Sequence, residues 1–109
     1  MSDDDATPEN EAGPGVPPGA VSKEIPIINK RGLHARASAK FVQLVERFNA
    51  EVWVTRGNET VGGTSIMGLM MLSAGPGTTI RVSAIGPEAE AAVTAITELV
   101  ASKFNEESM

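Results

Sequence analysis

The chain has no cysteine, which excludes disulfides, thiol chemistry and cysteine-based metal sites. It has one histidine, His34, and a single histidine without a thiol does not make a structural zinc site. No stretch approaches the roughly 20 apolar residues that a membrane helix requires, so no membrane insertion is expected. Residues 1–20 contain no lysine or arginine, and no large apolar residue except Met1 and Val16. They hold instead Asp3, Asp4, Asp5, Glu9 and Glu11, with four of the seven prolines and three of the eleven glycines. Such a segment cannot bury enough surface to offset the entropy of ordering itself. Composition therefore predicts a disordered acidic tail over 1–20. It is not expected to be a signal peptide, since it lacks a basic start and an apolar run. A cytoplasmic location is the expectation that fits.

The tail also accounts for the net charge of −5. Without its five acids, nine acids face nine bases, and the body over 21–109 is neutral. Net charge thus gives no reason to expect a nucleic-acid partner. The body is the size of one small domain.

Patterning along the body alternates between strand and helix. Ser22 to Ile28 is β-rich, and Pro26, which lacks an N–H, suits an edge position. Phe41, Leu44, Val45 and Phe48 fall at i, i+3, i+4 and i+7, predicting a helix from Ala35 to Phe48. Glu51 to Thr55 alternates, with Val52 and Val54 on one face and Trp53 on the other. Gly57-Asn58 signals a hairpin, and Thr60 to Gly63 is the returning strand. Ser65 is a good N-cap for a short helix through Leu72. After the turn at Gly75-Pro76-Gly77, Thr78 to Ile85 is the clearest strand. Pro87 suits a first helical position, and Ala89, Ala92, Val93, Ile96 and Val100 form the apolar face of a last helix ending near Phe104. The order β-α-β-β-α-β-α predicts an α+β domain of two layers.

The chemistry-bearing stretch is Gly32-Leu33-His34-Ala35-Arg36. His34 stands just before the first helix, whose opening N–H groups, at Ala35, Arg36 and Ala37, have no intrahelical acceptor. Those groups and the helix dipole form a site for an anion. Arg36 adds a planar fork of donors suited to phosphate, and Lys30, Arg31 and Lys40 add positive charge. A neutral imidazole offers a ring nitrogen as nucleophile. By residue type alone, a histidine beside an arginine is more often a surface or capping residue. Phosphate binding and phosphate carriage both stay open on these residues.

The same string, followed by Phe41-Val42 and later by Thr64-Ser65-Ile66-Met67-Gly68, resembles the signature of the histidine-containing phosphocarrier (HPr) family of the bacterial phosphotransferase system. The resemblance runs from about Ser22 to Phe104. It implies an open-faced sandwich, a four-stranded antiparallel sheet with three helices on one face. It implies that His34 accepts phosphate on Nδ1, with Arg36 attending and the N–H groups of Ala35 and Ala37 in contact. Many relatives have proline where Ala37 stands; alanine restores an N–H and gives up a fixed φ.

The resemblance further implies phosphate taken from phospho-enzyme I and handed to an enzyme IIA of a sugar or regulatory branch, with no cofactor. The chain would be a recycled substrate, not a turnover enzyme, and would act as a monomer. Ser65 matches the serine phosphorylated by a dedicated ATP-dependent kinase that also reverses the modification. By residue type alone it is a plain N-cap. Ile66, Met67 and Met70 exceed what a short helix can bury. With Lys40 they are the candidate docking face, methionine being adaptable to several partners. A second functional class is a regulatory binding module in which Ser65 acts and His34 is vestigial.

Overall fold

The computed structural model describes residues 13–106. Strands β1 (Val21–Pro26), β2 (Glu51–Arg56), β3 (Glu59–Gly62) and β4 (Thr79–Ile85) alternate with helices α1 (Ala35–Val45), α2 (Ile66–Met71) and α3 (Ala89–Ala101). The strands form one antiparallel sheet in the order β1-β4-β2-β3. Pro26 therefore lies on an edge strand, where a missing N–H costs no ladder bond.

Register decides which face is apolar. Val52 opposes Ala84 and Val54 opposes Val82, so these side chains share one face, and none is more than 5% exposed. Ile25 and Ile80 are paired and continue it. Against this face pack Ala37, Phe41 and Val45 of α1, Leu69 of α2, and Ala92, Ile96 and Val100 of α3. Fully burying a side chain such as Phe41 stabilises the fold by about 1.5–3 kcal/mol. The three helices thus cover one side of the sheet, the open-faced α+β sandwich expected above.

Helix ends differ from the periodicity by two or three residues. α1 stops at Val45, and the N–H groups of Arg47 and Phe48 turn back to Leu44 and Val45. The chain must reverse there to enter β2. Glu88 holds that reversal, since its carboxylate accepts from the Asn49 N–H at 2.6 Å and its own N–H donates to Asn49. This use of Glu88 leaves it as the N-cap, so α3 starts at Ala89 and Pro87 precedes the helix.

The other face carries polar cross-strand pairs: Ser22 with Ser83, Glu24 with Arg81, and Thr55 with Thr60. Thr55 and Ser83 are nevertheless buried. Residues 13–20, read from composition as part of the tail, run as two turns on that face. Gly13 lies so close to Thr55 that a Cβ there would meet its side chain at 2.5 Å, and Val16 is only 8% exposed. Residues 1–12 of the predicted tail lie outside the described residues. Among the described residues no helix is long and apolar enough to cross a membrane.

Candidate functional site

The site is built by a tight loop and the helix it feeds. Asn29 is fully buried and closes the loop from both sides. Its carbonyl accepts from the Gly32 N–H at 3.2 Å, and its Nδ2 donates to the Gly32 carbonyl at 2.9 Å. Gly32 has φ +64°, and a Cβ there would stand 2.2 Å from the Ala74 carbonyl oxygen. Only glycine fits that approach. Leu33 then anchors the chain, its side chain buried and its N–H donating to Ala74 at 3.0 Å.

His34 follows as the N-cap of α1, in extended backbone at φ −75° and ψ −179°. Its carbonyl receives the Ser38 N–H at 2.8 Å, while its side chain makes no capping bond. The opening N–H groups of α1 are thus not satisfied by the residue that caps it. Ala35 and Arg36 are exposed, and Ala37 is fully buried in the core. Ala37 thus serves packing as well as the helix start. The guanidinium of an exposed Arg36 is a planar fork of donors of the kind that suits phosphate.

The His34 ring turns instead to the far end of the chain. Its Nε2 lies 2.5 Å from Oε2 of Glu106, 72 residues away in sequence. The ring is 15% exposed and the carboxylate 8%. Oε1 of Glu106 accepts from Asn29 Nδ2 at 3.2 Å. Burial alone raises the Glu106 carboxyl. The hydrogen bonds from His34 and Asn29, with the charges of His34 and Lys40, outweigh it and hold the carboxyl below its ordinary value.

Sequence reasoning did not find Glu106, and no local pattern marks it. The residues before it are unusual: Lys103, Phe104 and Asn105 all have positive φ, between 55° and 59°. This left-handed geometry costs about 1–2 kcal/mol per non-glycine residue. Two anchors hold it. The Phe104 ring is fully buried, and Lys40 Nζ donates to the Phe104 carbonyl at 2.6 Å. Lys40, expected as part of a docking face, is therefore half-buried and committed to the C-terminal turn. A long side chain on α1 can reach that carbonyl only once the fold brings the two ends together.

Ser65 caps α2, its hydroxyl accepting from the Gly68 N–H at 2.9 Å, and it is exposed. Of α2 only Leu69 is buried. Ile66, Met67 and Met70 are exposed as expected, and so is Met71, at 70%. Leu72 faces the core.

The family model described as the PTS HPr component phosphorylation site matches residues 21–102. Phosphocarrier protein HPr of Neisseria meningitidis serogroup A is 49% identical over 86 residues, covering 79% of this chain and 97% of that protein. Phosphocarrier protein NPr of Shewanella violacea is 41% identical over 88 residues, covering 81% and 97%. The crystal structure of HPr-C-His from Thermoanaerobacter tengcongensis superposes with a TM-score of 0.77 at 42% identity, covering 80% of this chain and 98% of that one. The match spans the sheet, all three helices and the loop that carries His34, and on that basis the chain belongs to the HPr family of phosphocarrier proteins.

Proposed function

We propose that His34 carries a phosphoryl group between two proteins of the phosphotransferase system. It accepts the group on Nδ1 from phospho-enzyme I and passes it to a histidine of an enzyme IIA. The observation that carries this reading is the state of the His34 ring. Nε2 is taken by Glu106, so Nδ1 is the ring nitrogen left to react, at the start of α1 and beside Arg36.

The chemistry balances without a cofactor. The Nδ1 lone pair forms the new N–P bond as the donor's N–P bond breaks and returns its pair to the donor. Arg36 and the N–H groups of Ala35 and Ala37 meet the phosphoryl oxygens, where charge concentrates. On hand-over the same contacts release the group, and the protein is recovered unchanged. It acts as a recycled substrate in the cytoplasm.

Docking is assigned to the exposed residues Ile66, Met67 and Met70, extended by Met71. Their flexible side chains suit successive partners. Ser65, exposed at the edge of this patch, is the regulatory position. A phosphate there adds close to two negative charges at pH 7 and repels an acidic partner.

Incubation with enzyme I and phosphoenolpyruvate tests the reading. One acid-labile phosphoryl group on the wild-type chain, absent from His34→Ala, is the expected result. No adduct, or one that survives the substitution, would overturn it.

A further inference from the structure

The geometry points to Glu106 as the positioning residue of the phosphoryl-carrying histidine, fixing the ring tautomer and balancing the ring's charge while the group is aboard. This role rests on the carrier reading and extends it to a residue beyond the 21–102 stretch matched by the family model.

The tautomer follows from what a carboxylate can do. An ionised carboxylate only accepts hydrogen bonds, so Nε2, at 2.5 Å, must be the donor. Nε2 then bears the proton and Nδ1 bears the lone pair. A carboxylate on one ring nitrogen is a general means of presenting the other as base or nucleophile.

The surroundings fix this contact from three sides. Asn29 donates to Oε1 of Glu106 and to the Gly32 carbonyl, tying the carboxylate to the loop that delivers His34. The Oδ1 of the same buried amide has no hydrogen-bond partner, an unfavourable state kept while its NH2 group serves two acceptors. Lys40 and the buried Phe104 ring hold the left-handed turn that aims Glu106 inward. Backbone held in a sparsely populated conformation next to a reactive side chain is a mark of function.

Glu106 acts again once phosphate is on. With Nδ1 bonded to phosphorus and Nε2 protonated, the ring is cationic, and the carboxylate neutralises it. When the N–P bond breaks, its electron pair returns to Nδ1 and the ring leaves as neutral imidazole. A ring without the Nε2 proton would have to leave as an imidazolate, a far poorer leaving group. The proton stays on Nε2 throughout, and Glu106 keeps it there.

Two variants separate the two roles. Ring ¹⁵N spectra of the unphosphorylated wild type are expected to show the Nε2–H tautomer alone, and Glu106→Ala a mixture. Glu106→Gln keeps an acceptor and removes the charge. Release of inorganic phosphate from its phosphorylated form, followed against pH, is expected to fall off about one unit lower than in wild type. That makes it about tenfold slower at any pH above both midpoints. A single unchanged tautomer in Glu106→Ala, or an unchanged pH profile in Glu106→Gln, would overturn the role. Wild type that takes no phosphate on His34 would remove the carrier reading and this role with it, even with the tautomer as expected.

Discussion

Two helices of this protein open on a residue that the family resemblance marks for phosphate, and they use those residues in opposite ways. Ser65 puts its own hydroxyl on the Gly68 N–H and so satisfies one opening donor of α2. His34 occupies the same position on α1 but makes no capping bond, and its ring is drawn to Glu106. One helix start is closed by a local contact. The other leaves its opening N–H groups without a side-chain cap, because a distant residue holds the His34 ring. The two starts thus differ in where a single side chain finds its partner.

The comparison can be broken at several points. His34→Ala should abolish the phosphoryl adduct completely, as read by intact mass after treatment with enzyme I and phosphoenolpyruvate. Gly32→Ala comes next, since its Cβ would collide with the Ala74 carbonyl at a positive φ. Overpacking and left-handed backbone together should cost about 2–4 kcal/mol, seen as a lower urea midpoint at unchanged slope. Ser65→Ala removes only the cap and should cost about 1 kcal/mol, with phosphorylation of His34 unaffected. A large loss of phosphorylation in that variant would show that the two starts are coupled.

The smallest effect concerns pH. The Glu106 carboxyl is held low in the folded chain, so it contributes stability above the ordinary glutamate value of about 4.3. That contribution is lost as pH falls through the lower folded value. Wild type should therefore lose stability in that acid window more steeply than Glu106→Gln, as measured by thermal melts across pH. Parallel curves would show that the carboxylate contact adds nothing to stability.

Much of this was legible in order along the chain. The spacing of Phe41 and Val45 marked α1, and the alternation of Ile80, Val82 and Ala84 marked β4; all five side chains are buried. Ser65 was readable as a cap because capping spans three residues. The exposure of Ile66, Met67 and Met70 followed from a helix too short to bury them. Other features left no local trace. Val16 looked like one apolar residue in a solvated tail, yet it is buried, in a segment that packs on Thr55. Lys40 looked like free positive charge on a helix face. Lys103, Phe104 and Asn105 include no glycine, so nothing in their composition announces left-handed backbone.

The sequence by itself determined the elements, their order, and the place of His34 at the start of a helix. Each of these rests on contacts between near neighbours: periodicity, capping and turn chemistry. Only the tertiary structure decided which ring nitrogen of His34 is taken, because that depends on a carboxylate 72 residues away. Such a contact is made when Asn29, Lys40 and Phe104 meet around the packed core, and no pattern of adjacent residues encodes it.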